Sequence, residues 1–99
     1  MQIELQTDSE EFVRFLRDSA PPGISVEPLN VIGMVTQDPY QYVGLFLLKW
    51  GPGIAQGIIA AWLYEMFTKH RRPLKRYGKK IDIKQEHLLA ILNKDSEAK

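Results

Sequence analysis

The chain has 99 residues, of which 44% are hydrophobic and 25% charged, and its formal net charge is +1. This balance is typical of a single globular domain, and it excludes a second domain, a collagen repeat and wholesale disorder. The absence of cysteine excludes disulfides, thiolate nucleophiles and zinc sites built on sulfur.

The charges are distributed unevenly along the chain. Residues 1–48 contain two basic and seven acidic residues, whereas residues 49–99 contain eleven basic and five acidic ones. Most of the positive charge lies in residues 69–80, KHRRPLKRYGKK, which include no acid. This asymmetry predicts either attraction between the two halves or a surface for an anionic partner. The first twenty residues carry five acids, unlike the basic start of a secretory signal, so we expect a cytoplasmic protein.

The chain begins with a strand signal and a helix signal. Residues 2–7 alternate between apolar and polar side chains, which predicts a strand with one buried face. Thr7 and Asp8 each stand three residues before a glutamate, the spacing of a capping box at a helix start. The helix that follows should bury a stripe that includes Phe15.

An extended segment comes next. The Pro-Pro-Gly segment 21–23 should end the first helix, because a residue before proline is disfavoured in helical conformation. Residues 24–35 then alternate again, with Pro28 marking an edge or a bend, and predict a second strand. Residues 37–39, Gln-Asp-Pro, predict a turn or a helix start.

Nearly thirty mostly apolar residues follow. We predict a short helix over residues 40–49, a break at the Gly-Pro-Gly segment 51–53, and a second helix that runs to about His70. On a helical wheel this second helix has no polar face. We therefore expect it to be a central helix covered on most sides.

The central helix has a small side and a bulky side. Gly53, Gly57 and Ala61 share the small side, which we expect to pack closely against another helix. Trp62 lies on the bulky side, and we expect it to be nearly fully buried against the sheet. Two alternatives remain open: the small side is the seam of a homodimer, or the segment 43–67 spans a membrane.

A hairpin and a last helix complete the predicted fold. Residues 74–77 and 80–84 flank a Gly-Lys turn, and residues 85–93 predict a leucine-rich helix before a frayed polar tail, 94–99. The predicted order is β-α-β-α-α-β-β-α. It describes one α+β domain over residues 1–93, with a small mixed sheet of about four strands packed by helices.

No set of residues predicts catalysis. His70 and His87 have no carboxylate at helical spacing, as a metal site would need. The serines lack the context of a nucleophile elbow, and the 51–53 segment matches neither a P-loop nor a dinucleotide fingerprint. We therefore expect no enzyme activity, no metal and no cofactor.

The basic segment is the feature most suited to bind a partner. Its candidate contact residues are Arg71, Arg72, Lys75, Arg76, Lys79 and Lys80. Three interpretations remain open: a solvated helix end followed by a lysine-protected edge strand, a surface for an acidic protein, or a phosphate-binding surface for nucleic acid. An acidic protein is favoured over nucleic acid, because a single aromatic residue, Tyr77, offers little base stacking.

The C-terminal half resembles a known family. A hydrophobic helix ends in AAWLYEMFTKHRR, a hairpin LKRYGKKIDI follows, and a short leucine helix HLLAIL comes last. Together with IELQ and PPGISVEPLNVIG upstream, the chain resembles the effector-associated constant component family of bacterial conflict systems, through the Trp62-Leu63 pair, the basic helix end and the Gly78 hairpin. In size and charge distribution it also resembles bacterial immunity proteins and antitoxins. The resemblance implies a non-enzymatic accessory or immunity-type domain that couples to another protein.

Overall fold

The computed structural model describes residues 1–29, 44–76 and 79–97. Three helices and five strands are present in these ranges. In chain order they are β1 (Gln2–Gln6), α1 (Glu10–Ser19), β2 (Ile24–Pro28), β3 (Leu45–Trp50), α2 (Gln56–Lys69), β4 (Leu74–Arg76), β5 (Lys79–Ile81) and α3 (Gln85–Glu97). The α+β class is confirmed, with five described strands where about four were expected.

The strands form one sheet in the order β2-β3-β1-β4-β5. Every described pair is antiparallel, so the expectation of a mixed sheet is wrong. The predicted order placed two helices between the second and third strands, a connection long enough for a crossover that returns the chain in parallel. The first strand of the chain lies in the middle of the sheet, between β3 and β4.

The predicted helix over 40–49 is wrong in its described part, because residues 45–50 form β3. Phe46, Leu48 and Trp50 are buried, and the residues between them are half-buried. β3 pairs with β1 on one edge and β2 on the other, so both of its edges are satisfied by backbone hydrogen bonds. Residues 40–43, and the predicted turn at 37–39, lie outside the described residues.

One face of the sheet carries the core. Ile3 lies opposite Leu48, and Leu5 lies opposite Phe46, all on this buried face. Helix residues complete the same cluster, namely Phe12, Val13, Leu16, Ile59, Ala60, Leu63, Met66, Phe67, Leu88 and Leu92. The other face, called the open face below, carries polar side chains such as Glu4 and Glu27, both exposed. The described architecture therefore has two layers, a sheet and a layer of helices.

α1 is capped by Ser9 rather than by either residue of the predicted capping boxes. The Ser9 hydroxyl accepts a hydrogen bond from the Phe12 backbone N–H at 3.2 Å. Thr7 is buried instead, and its hydroxyl donates to the Pro73 carbonyl at 2.8 Å. Asp8 forms an ion pair with Arg72. Both predicted caps are thus occupied by contacts with the end of α2 and the start of β4.

α2 is rotated relative to the predicted orientation. It buries the arc that contains Ile59, Leu63 and Phe67, whereas Ile58 is 57% exposed. Trp62 is half-buried, so the expectation that it is nearly fully buried is wrong. The apolar residues surround this helix, and a wheel cannot tell which arc of such a helix turns inward.

The predicted tight packing of the small side is also wrong. Gly53, Gly57 and Ala61 are exposed. A Cβ added at Gly53 or Gly57 would meet no atom within 4 Å among the described residues. Small side chains bury little apolar area, so the arc with larger residues faces the core. The alternative of a homodimer seam on this side stays a prediction.

The membrane alternative over 43–67 does not fit the described fold. Residues 45–50 of that segment are a strand and only residues 56–67 are helical. Across the described ranges, every helix is too short or too polar to cross a bilayer. The Gly-Pro-Gly break joins a strand to a helix, not two helices.

The C-terminal elements are present with shifted ends. The two hairpin strands pair antiparallel, and residues 77–78 between them lie outside the described residues. α3 continues to Glu97, so the predicted frayed tail is helical over 94–97. That stretch contains no glycine or proline to end the helix.

Candidate interaction surface

α2 ends in a turn that normally requires glycine. The Arg71 N–H donates to the Thr68 carbonyl at 3.3 Å, and the Arg72 N–H donates to the Phe67 carbonyl at 3.1 Å. This is the Schellman arrangement, in which the residue after the cap adopts a left-handed conformation. Arg71 occupies that position with a φ of 53°. A side chain with a Cβ costs about 1–2 kcal/mol in this conformation, which is a reason to look for a function in the Arg71 side chain.

The Arg72 side chain is partly exposed and also contacts other residues of the chain. Its guanidinium lies 3.4 Å from the Asp8 carboxylate and 5.9 Å from the centre of the Phe12 ring. The pair is partly exposed, and such pairs contribute at most about 1 kcal/mol. Arg72 therefore joins the end of α2 to the start of α1, and its charge is partly neutralised within the chain.

Aromatic side chains lie beside the same helix end. The His70 ring is 4.8 Å from the Phe15 ring and 5.5 Å from the Phe12 ring, measured between centres. Phe15 is 42% exposed, although the sequence pattern predicted it to be buried. Sequence reasoning therefore missed an exposed aromatic residue that contacts His70 at the end of α2. The exposure of Phe15 could have been predicted by including Val13 in the buried stripe of α1, because Val13 shifts the centre of that stripe away from Phe15.

The remaining candidate cations lie in the β4–β5 hairpin. Leu74 is fully buried, and it lies opposite Ile81. The next pair, Lys75 and Lys80, lies on the open face, because Lys75 is also opposite Gln6 of β1. The following pair, Arg76 and Lys79, returns to the face of Leu74. We call this element the basic hairpin, defined by Lys75, Arg76, Lys79 and Lys80.

Two of the three cross-strand pairs in the basic hairpin are cation against cation. Like charges placed directly opposite each other destabilise a sheet. Lys79 and Lys80 are exposed, and Lys75 is half-buried. Within the described parts of the chain, none of these three lysines has a carboxylate within 4.0 Å. The basic hairpin thus concentrates positive charge that these lysines leave without a carboxylate partner.

Ion pairs between the two halves of the chain are formed by cations outside the basic hairpin. Arg72 pairs with Asp8, and Lys49 pairs with Glu27 at 2.8 Å. Each of these ion pairs joins an acid of the first half to a base of the second half. The charge asymmetry therefore has two parts: an internal one at Arg72 and Lys49, and an outward one at the hairpin lysines.

The six candidate residues do not form a single cluster. Four belong to the basic hairpin, Arg71 lies three residues before β4, and Arg72 is turned toward α1. No protein-family model, curated protein or solved structure matches this chain. Function is therefore inferred from these surface residues and their geometry.

The acidic and histidine side chains of the described residues do not gather into a metal-ligand group. Among residues 1–29, 44–76 and 79–97, no three His, Asp or Glu side chains converge as metal ligands would. His70, the one histidine at the candidate surface, packs against Phe12 and Phe15.

Proposed function

We propose that the protein is a non-enzymatic interaction module that binds an acidic protein through the basic hairpin. The observation that carries the proposal is the register of the hairpin, which sets Lys75 against Lys80 and Arg76 against Lys79. Two lysines directly opposite each other, such as Lys75 and Lys80, destabilise the hairpin by a few tenths of a kcal/mol to about 1 kcal/mol. A bound carboxylate group would remove that repulsion, so partner binding and hairpin stability support each other.

The exposed lysines also favour fast association. Positive charge on an exposed surface attracts an acidic partner during diffusion and raises the association rate more than it raises the affinity. Arg71, held in a left-handed conformation at the end of α2, adds a further exposed guanidinium. Arginine and aromatic residues are enriched at binding hot spots, and Phe15 lies beside the same helix end.

An acidic protein fits the hairpin better than nucleic acid does. The hairpin sequence contains a single aromatic residue, Tyr77, which offers little base stacking. Among the described strands, β5 of the hairpin lies at one end of the sheet, and the backbone of an edge strand can pair with polypeptide. These two features favour a protein partner.

The setting that we propose is a bacterial cytoplasm, with the protein as an accessory or immunity-type partner in a conflict system. The support is the resemblance described above, which includes the helix end and the hairpin that form the candidate surface. In such a setting, specificity would come from the partner's acids and from their spacing.

The test is capture of a partner from native lysate by three forms of the protein. These are the wild type, the Lys79→Glu/Lys80→Glu variant, and an Arg14→Glu/Arg17→Glu control that has the same change in net charge on α1. We expect the wild type and the control to capture the same protein, with or without nuclease, and the hairpin variant to lose it. Equal capture by all three forms, or capture abolished by nuclease, would contradict the proposal.

A further inference from the structure

The cations of the basic hairpin lie on both faces of the sheet. Lys75 and Lys80 lie on the open face, and Arg76 and Lys79 lie on the face that the helices cover. Their positions alternate because successive residues of a strand point to opposite faces. A partner that approached one face of the sheet would meet only one of the two cation pairs.

Among the described strands, β5 is the outermost on this side of the sheet. In the part of the chain that the structure describes, β5 pairs with β4 and with no other strand. Its other edge therefore presents backbone N–H and C=O groups to whatever lies beside it. A partner at this edge could reach both faces at once.

We infer that the acidic partner binds as an extended segment that adds one strand beside β5, an inference that rests on the proposed function. The side chains of an added strand alternate between the two faces of the sheet. Two consecutive acids in the segment would meet Lys80 on the open face and Lys79 on the other. A helical segment presents its acids on one side, at every third or fourth residue, and would reach only one pair.

The lysines make the open edge selective. A short edge strand with lysines is also a common protection against unwanted strand pairing, because an apolar strand would bury the lysine charge. An acidic strand neutralises the lysine charge, so the edge of β5 should pair with acidic strands and not with apolar ones. β5 has three residues, so backbone bonds are few, and binding should depend on both charge and backbone pairing.

The experiment uses a capped synthetic heptapeptide, Thr-Val-Glu-Glu-Glu-Val-Thr, and the full-length protein. The peptide is N-methylated at one position at a time, which removes one backbone N–H and keeps every charge. We expect affinity, measured by fluorescence titration at low salt, to fall at least tenfold at alternate positions, where the N–H points toward β5. Hydrogen exchange of the Lys79–Ile81 amides should slow at least tenfold when the peptide binds.

The controls separate charge from backbone pairing. A helix-forming peptide with three glutamates should bind at least tenfold more weakly than the heptapeptide. Lys79→Gln and Lys80→Gln, made singly at exposed positions, should each weaken binding severalfold, whereas Arg14→Gln should not. Circular dichroism confirms that each variant is folded.

Three outcomes overturn the inference. If the helical peptide binds equally well and N-methylation has no alternating effect, charge alone holds the partner, and the proposed function stands without strand addition. If the heptapeptide does not bind although lysate capture still requires the hairpin lysines, the partner is recognised in another form. If neither the peptide nor a lysate partner responds to the hairpin lysines, the edge is protective and both proposals fail.

Discussion

Replacing Arg71 by glycine should stabilise the fold and weaken partner binding at the same time. Arg71 has a φ of 53°, in the left-handed region where a side chain costs about 1–2 kcal/mol. Glycine removes that cost, but it also makes the unfolded chain more flexible, which costs about 0.4–1 kcal/mol. We expect a net gain of about 0.5–1 kcal/mol, and in a domain of this size that raises Tm by about 2–8 °C.

The matched control is Arg71→Ala, which removes the guanidinium and keeps the Cβ. Its Tm in thermal unfolding followed by circular dichroism should stay close to that of the wild type, while the glycine variant unfolds at a higher temperature. Both variants should associate with the partner more slowly than the wild type, because both lose the same charge. A glycine variant no more stable than the alanine variant would refute the strain at Arg71. Unchanged association in both variants would remove Arg71 from the binding surface.

The other predictions concern the hairpin and the orientation of α2, and each is measured by chemical denaturation. Lys80→Glu places an acid opposite Lys75 and should stabilise the protein by about 0.2–1 kcal/mol, while it abolishes partner capture. Leu63→Ala should cost about 2–5 kcal/mol because Leu63 is buried, whereas Ile58→Ala should change stability by less than about 0.5 kcal/mol. Gly57→Ala should stabilise the helix by about 0.5–1 kcal/mol, since a Cβ meets no described neighbour there. Destabilisation by Gly57→Ala would restore the tightly packed small side, and unchanged stability in Lys80→Glu would contradict the register.

Local patterns predicted the elements whose two faces differ. β1 alternates apolar and polar residues because one of its faces carries the core and the other is open. α1 ends at the segment of prolines and glycine that follows it. The hairpin lies in the predicted segment, although β5 begins one residue earlier than expected.

β3 could not be recognised in the same way. Its residues LFLLKW are apolar at most positions, and a short apolar run fits a strand or a buried helix equally well. Only the pairing with β1 and β2 on its two edges decides between them, and that pairing involves residues far apart in the sequence.

The basic residues of the candidate surface were predicted from the composition of the segment 69–80, but their arrangement across the hairpin was not. The hairpin was expected to turn at Gly78-Lys79, whereas Lys79 lies in β5 opposite Arg76. A shift of one residue exchanges the faces of a strand, so charge repulsion across the hairpin follows only from the observed register. Arg72 and Asp8 are 64 residues apart, and no local pattern connects them.

The central position of β1 in the sheet has a consequence for folding during synthesis. β1 is synthesised before both of its partner strands, β3 and β4. Lys75, which pairs with Gln6, is added to the chain about 70 residues after Gln6. At about 5–20 residues per second, the first strand leaves the ribosome several seconds before its neighbours exist. Both of its edges are then available to other chains, and its polar residues Gln2, Glu4 and Gln6 are what opposes aggregation. Nascent chains arrested before residue 74 should therefore associate with chaperones more strongly when Glu4 is replaced by valine, and equal association would show that β1 is sheltered by other means.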